Sequence, residues 1–303
     1  MSLFLEVVTG VTLPLVLMIG FGFLLQSRVG VDVNTLSRLV VYGTLPALLI
    51  LSLARAELPA AEVWTAVLFT IGQFFVLMAL GWMAAVLLRL DPSFRPVIAL
   101  AAAFANTGNY GIPVIELTFG ATYVPHQAII TSVPTLFIPG PRPFRRACGK
   151  GWRASLAGVV RTPVIPAMVL GIALNLLDID LPRVLAYPLE LVAGANTPAA
   201  LIALGAQLGS GIWALARTPV AAGIAMRLVV APAVTWLALV ALGLPDGLSD
   251  LLLVGAGLPV GILLPIFCAE YGTHARSASA MVAVSTALSP LVVTLLVYFA
   301  RAG

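Results

Sequence analysis

Ten apolar stretches, most of them long enough to cross a bilayer, fill this 303-residue chain and divide into two sets of five. They run over 5–25, 36–54, 63–88, 97–117, 120–138, 159–177, 185–208, 218–242, 250–270 and 278–299. A shift of 152 positions lays Pro14 on Pro166, Pro46 on Pro198 and Pro113 on Pro265. With 22 prolines in 303 residues, chance would give roughly one such coincidence. Each pair also occupies the same ordinal span of its half: the first, second and fourth. An odd number of spans per copy turns the second copy upside down in the bilayer. The expected fold is therefore an all-α integral membrane protein of ten transmembrane helices in two inverted five-helix repeats, residues 1–138 and 159–303, joined by a basic linker at 139–158.

The solvent follows from composition: 61% hydrophobic and 9% charged residues, with a mean hydropathy of +1.09, exclude an ordinary soluble domain. The first span has no basic segment before it and no small-residue cleavage site after it, so it is expected to stay as a membrane helix, with the mature chain beginning near Met1. Two cysteines, Cys148 and Cys268, make neither a disulfide framework nor a metal cluster, and no metal site is expected. The net charge of +4 does not point to nucleic acid, because the basic residues flank the spans. With the N-terminus outside, twelve Lys or Arg, among them Arg28, Arg38, Arg95 and Arg276, fall on the cytoplasmic side and three outside: Arg55, Arg183 and Arg301. Both termini are thus expected to be periplasmic, in a bacterial inner membrane.

The polar residues lie where helices should break. The fourth span reads Ala-Phe-Ala-Asn-Thr-Gly-Asn-Tyr-Gly-Ile-Pro from Ala103 to Pro113. Proline removes an N–H and clashes with the carbonyl one turn earlier, and hydrocarbon offers those groups no partner, so such a segment must line a protein cavity. Gly108 and Gly111 let the chain leave helical geometry, and Pro113 starts a half-helix whose positive end faces the break. Asn106, Thr107 and Asn109 could contact an anion there, or could only cap the half-helices. The ninth span repeats the punctuation with Gly257, Pro259, Gly261 and Pro265 but without amides. Two such breaks in opposed copies are expected to cross near the midplane.

The second and seventh spans supply Gly43-Thr44-Leu45-Pro46 and Ala195-Asn196-Thr197-Pro198. Asn196 and Thr197 either face the cavity or satisfy carbonyls freed by Pro198. Arg227 is the basic residue deep within a span, where it could anchor structure or attract a substrate anion. Glu116 and Glu270, near the ends of the broken spans, could bind H+ or Na+. His126, His274 and Cys268 lack the spacing of a catalytic constellation, and neither a G-x-S-x-G, an H-E-x-x-H nor a phosphate-binding loop occurs. An enzyme is not expected.

Asn-Thr-Gly-Asn-Tyr-Gly-Ile-Pro (106–113), Leu-Pro-Ala-Leu (45–48), Asn-Thr-Pro-Ala-Ala-Leu (196–201) and Ser-Thr-Ala-Leu-Ser (285–289) resemble the auxin efflux carrier family. The resemblance covers nearly the whole chain. It implies a fold similar to bile-acid symporters and sodium/proton antiporters, with a panel-like scaffold and a mobile core of crossed helices. It also implies a secondary transporter of small organic anions such as malonate, malate or auxin, without a cofactor, coupled to H+, to Na+ or to neither. Asn106 or Asn109, with Asn196, would contact the substrate carboxylate, and Pro113 and Pro265 would form the crossover. Besides the lipid bilayer, the partners are the carboxylate and, as a further candidate, a second copy of the chain. A passive channel or a sensor on the same fold is the alternative.

One stretch departs from the family pattern. Pro134, Pro139, Pro141 and Pro143 crowd into a basic segment that runs to Arg153. An unusual linker, a lipid-headgroup patch and a local frameshift that recovers near Trp152 are the competing readings. Sequencing the source DNA over this stretch decides among them.

Overall fold

The computed structural model describes residues 3–57, 59–137, 163–209, 218–270 and 272–302. Among these every regular element is helical. We number them α1 (Leu3–Val29), α2 (Val33–Ala54), α3 (Ala60–Leu87), α4 (Arg95–Ala103), α5 (Ile112–Phe119), α6 (Val124–Phe137), α7 (Val164–Leu176), α8 (Arg183–Gly194), α9 (Asn196–Leu208), α10 (Thr218–Leu242), α11 (Asp246–Ala256), α12 (Leu264–Glu270) and α13 (Ala275–Ala302). Among the described residues six spans are long and apolar enough to cross a membrane: α1, α2, α3, α8 with α9 (joined through Ala195), α10 and α13. Their outward faces carry large apolar side chains, such as Leu17, Phe21 and Leu24 on α1 and Trp64 and Leu68 on α3. In water such a surface would aggregate; in lipid it is the solvated face. The protein is a multi-pass membrane protein.

The predicted fourth and ninth spans are each split, into α4 with α5 and into α11 with α12. The predicted fifth and sixth spans are described as α6 and α7, on either side of the linker. Linker residues 139–158 lie outside the described residues, as does most of the basic segment that ends at Arg153.

Prolines set the local geometry of the long helices. The turns Val8–Thr12, Val40–Thr44, Thr107–Gly111 and Met226–Val230 are widened to the π form, and each ends two residues before a proline: Pro14, Pro46, Pro113 and Pro232. The cause is shared. A proline cannot donate to the carbonyl four residues back and its ring pushes that carbonyl away, so the preceding turn expands. In the second half, Pro166, Pro198 and Pro265 instead sit in the first turns of α7, α9 and α12. There the missing N–H has no intrahelical partner to lose.

The packing pattern recurs between halves. α1 lies along α9, as α7 lies along α2; α3 packs on α4, as α10 packs on α11; and α5 meets α6, as α12 meets α13. α1 and α9 approach so closely that a Cβ on Gly22 would strike the Ile202 backbone, and one on Gly205 the backbone of Ile19. Small residues at a membrane helix contact bring backbones together, so dispersion replaces the hydrophobic effect that lipid does not supply.

Candidate functional site

The two broken spans meet. α4 ends at Ala103, Phe104 turns extended with φ −103° and ψ 102°, and Ala105 pairs antiparallel with Val260. Asn106 N donates to Pro259 O and Gly261 N donates to Phe104 O, both at 2.8 Å. Each break thus satisfies part of the other's backbone, which hydrocarbon could not do. Gly261 is required by the closeness, since a Cβ there would overlap the Phe104 ring. Gly111 is similarly confined, by Gln127 and Leu258.

This exchange relates Asn106 to Gly261 and Phe104 to Pro259, a step of 155 positions rather than 152. The difference lies between the crossing and the helix that follows it. Six residues separate Ala105 from the start of α5, but three separate Val260 from the start of α12. The surplus in the first copy is taken up by the π turn that carries Asn109.

Arg227 closes the crossing from one side. Its guanidinium is buried and donates Nη1–H to Ala102 O (2.9 Å), Nη2–H to Ala256 O (2.7 Å) and Nε–H to Leu258 O (3.0 Å). The carbonyls of Ala102 and Ala256 lie in the last turns of α4 and α11, where the helix dipole is negative, and that of Leu258 follows two residues beyond α11. One cation thus serves both half-helices. Sequence reasoning missed three further contributors. Val260 N donates to Ser285 Oγ (3.0 Å), Ser289 Oγ donates to Gly257 O (2.9 Å), and Gln127 Nε2 donates to Thr107 O (2.9 Å). The ninth span has no amides of its own because α13 supplies hydroxyls. The available signal was the spacing of Ser285 and Ser289, four apart on one face of the helix.

The predicted amides gather on another face of the crossing. The turn Thr107–Gly111 packs on α9, as does α5. Asn196 opens α9; its Oδ1 accepts from Thr44 Oγ1 at 3.1 Å, and its Nδ2 is buried without a partner among the described residues. Thr197 Oγ1 donates to Glu116 Oε2 from the half-buried acid on α5. Asn106 bounds the π turn yet makes no side-chain cap, and its Nδ2 is likewise buried and unpartnered. Asn109 is buried in the same turn. Asn106, Thr107, Gly108, Asn109, Asn196, Thr197 and Glu116 are therefore brought to adjoining elements, while Arg227 is turned to the helix carbonyls. Pro113 and Pro265 stand at equivalent second positions of α5 and α12. The side chain of Glu270 lies outside the described residues.

Two hollows adjoin the crossing. One of about 30 Å³, room for roughly two waters, touches Ala103, Ala105, Thr107, Gln127 and Arg227. A larger one of about 120 Å³ lies between α9 and α13 beside Ile262 and Pro265, with Gln207, Ser279 and Thr286 as its polar lining. Among the described residues, no catalytic arrangement forms around the remaining candidates. Cys268 is buried, and His126 pairs with Glu62 at 3.1 Å. His274 bonds Ser93 at 2.7 Å, but Asp91 bonds that hydroxyl and not the imidazole.

The sequence matches the family described as membrane transport protein over residues 7–138 and 152–298. The chain belongs to this family, that of the auxin efflux carriers. The match leaves out 139–151, within the segment that departs from the family pattern. A Rhizobium meliloti (strain 1021) protein named as a candidate malonate transporter is 28% identical over 98% of this chain and 97% of its own length. Auxin efflux carrier component 1 of Arabidopsis thaliana is 32% identical over 46% of this chain and 23% of its own. Family membership makes the protein a membrane transporter and not an enzyme, and these relatives are named for malonate and for auxin.

Proposed function

We propose that this family member is a secondary transporter of small carboxylates, of the malonate, malate or auxin-like kind, working by alternating access around the crossing of the broken spans. The observation that carries the reading is the pair of amide groups, Asn106 Nδ2 and Asn196 Nδ2, buried beside the crossing with no partner among the described residues. An unpaired buried donor costs about 1–3 kcal/mol. Two on adjoining elements, together with the start of α9, form an electropositive locus that a carboxylate satisfies. Asn106, Thr107, Gly108, Asn109, Asn196 and Thr197 are the proposed contacts. Gly111, Pro113, Gly257, Pro259, Gly261 and Pro265 set the crossing itself.

The proposed architecture is ten spans in two inverted repeats. Its support is the recurrence of packing partners between halves and the mutual hydrogen bonding of the breaks. In that frame α1, α2, α7 and α8–α9 form the scaffold, and the rest of the described helices form a core that moves against it. The excess of basic residues on one side of the spans supports an inner-membrane protein with both termini outside.

Purified protein in vesicles preloaded with malonate should take up labelled malonate by saturable counterflow. Asn106→Ala and Asn196→Ala should each lower the rate at least tenfold while insertion and thermal stability persist. Flux that does not saturate, or wild-type flux in both variants, would overturn the reading.

A further inference from the structure

Glu116 is a carboxylate already seated at the edge of the site proposed for a carboxylate. It lies one turn beyond Pro113 on α5, and its Oε2 accepts the hydroxyl proton of Thr197 in the first turn of α9. The adjacent residue on α9, Asn196, is 1% exposed, and its Nδ2 has no partner among the described residues. Among the described residues Glu116 makes no ion pair. α5 is packed by elements that carry few charges. α9 and the turn Val8–Thr12 contain no ionisable residue, and the turn Thr107–Gly111 contributes Tyr110. The turn Ala121–Tyr123 contributes Tyr123, and α6 contributes His126, tied to Glu62. α11 contributes Asp246 and Asp250, and Arg301 of α13 bonds the carbonyl of Thr118. The bond to Thr197 is therefore the direct contact that holds Glu116.

We propose that Glu116 is the proton-coupling residue of the carrier, an internal carboxylate that the substrate anion displaces from Thr197 and that takes up a proton as it yields. The inference rests on the carboxylate reading above. Its logic is electrostatic. A substrate carboxylate that takes the Thr197 hydroxyl comes to lie beside Glu116, and two like charges at contact distance in a site of low polarity disfavour each other strongly. A proton delivered from bulk water to a Glu116 carboxyl oxygen removes the repulsion and turns that oxygen from acceptor to donor. By linkage, anion binding then favours protonation and protonation favours anion binding by the same factor. One anion and one proton share the site, and they cross together.

The test uses vesicles containing the full-length protein, with labelled malonate as the probe and a pH dye inside. Wild type should acidify the lumen as malonate enters, and its apparent affinity should tighten between pH 8 and pH 6. Glu116→Gln keeps the shape and an acceptor for Thr197. It should carry malonate with no proton flux, with an affinity at pH 8 at least fivefold tighter than wild type, and with a flatter pH profile. Because both proteins see the same malonate, ionisation of the substrate cancels in the comparison. Wild-type proton flux in Glu116→Gln overturns the coupling and leaves the carboxylate reading standing. Failure of wild type to move or bind any mono- or dicarboxylate overturns both. If Glu116→Gln does not insert, calorimetry on wild type decides, in two buffers of different ionisation enthalpy above the range in which malonate titrates. A net proton taken up with malonate supports the proposal; none overturns it.

Discussion

Thr44 Oγ1 donates to Asn196 Oδ1 across 3.1 Å, and the two residues are 152 positions apart, the same step that lays Pro46 on Pro198. In the proposed pair of inverted repeats, a residue that bonds its own counterpart sits beside the local two-fold relation between the halves. The pair is also where the halves differ. Threonine offers a hydroxyl that its Asn196 partner consumes, whereas asparagine has an amide nitrogen left over. One side of the near-symmetric contact is thus structural, and the other keeps a donor for something else.

Thr44 and Asn196 should therefore be energetically coupled but functionally unequal. In a double-mutant cycle of Thr44→Val and Asn196→Ala, thermal unfolding in detergent should give an interaction energy of about 0.5–3 kcal/mol, the range for residues in direct contact. Thr44→Val should retain most malonate transport and Asn196→Ala little. Additive destabilisation would remove the bond from the account of the fold.

Arg227 should matter to folding more than to substrate affinity. Arg227→Leu strands three carbonyls, Ala102 O, Ala256 O and Leu258 O, each worth about 1–3 kcal/mol when buried unpaired. We expect a loss of at least 3 kcal/mol by the same scale, visible as poor recovery of folded protein. Arg227→Lys should fall between, since one ammonium cannot match three acceptors reached by a planar fork. Transport by the surviving fraction should keep its malonate KM. A raised KM with unchanged stability would return Arg227 to the substrate.

The breaks in the fourth and ninth spans, and the burial of Asn106, Asn109 and Asn196, were legible in the sequence because hydrocarbon makes each of them costly. Asn106, Asn109 and Asn196 have no reason to lie in apolar spans unless protein surrounds them. Less legible was who completes the backbone of each break. Ser285, Ser289, Gln127 and Arg227 come from other helices, and pairing across such distances leaves no periodic trace in one chain. The step of 155 at the crossing was hidden for a related reason. The coincidence of Pro113 with Pro265 reports where α5 and α12 begin, and the π turn between crossing and helix can absorb extra residues without disturbing either proline.

Acid should weaken two loop caps at the bundle ends. Asp32 accepts from Asn34 N (3.1 Å) and Thr35 N (3.2 Å) at the start of α2, and Asp91 accepts from Ser93 N (2.9 Å) ahead of α4. The Thr35 hydroxyl first, then the Asn34 amide, hold Asp32 below the usual carboxylate range; the hydroxyl and amide of Ser93 do the same for Asp91. A lowered folded-state value means the stabilisation is complete above the unfolded carboxylate value near 3.9 and is lost as pH falls through the lower folded value. Asp32→Asn and Asp91→Asn should therefore flatten the acid limb of a melting-temperature profile below about pH 4 and leave the neutral region nearly unchanged. An acid limb identical to wild type in the double variant would assign it to other carboxylates.

Glycines that look alike in the sequence should part sharply on substitution. Gly205 on α9 faces the Ile19 backbone of α1, and an added Cβ cannot be accommodated by a side-chain turn because the obstacle is main chain. Gly205→Ala must push α1 from α9, the longest contact between the halves, and overpacking of this kind costs about 1–3 kcal/mol. Gly72, in the middle of α3, has nothing within 4 Å of the same position. Gly72→Ala should be neutral or stabilise by roughly 0.5–1 kcal/mol, because alanine gives up less backbone freedom than glycine on entering a helix. Thermal unfolding of the two variants side by side checks this. Since Asn196 and Thr197 stand at the start of α9, Gly205→Ala should also slow malonate transport through displacement of that helix, whereas Gly72→Ala should not. Equal melting temperatures for the two variants would mean that α1 and α9 are not in close contact in the membrane.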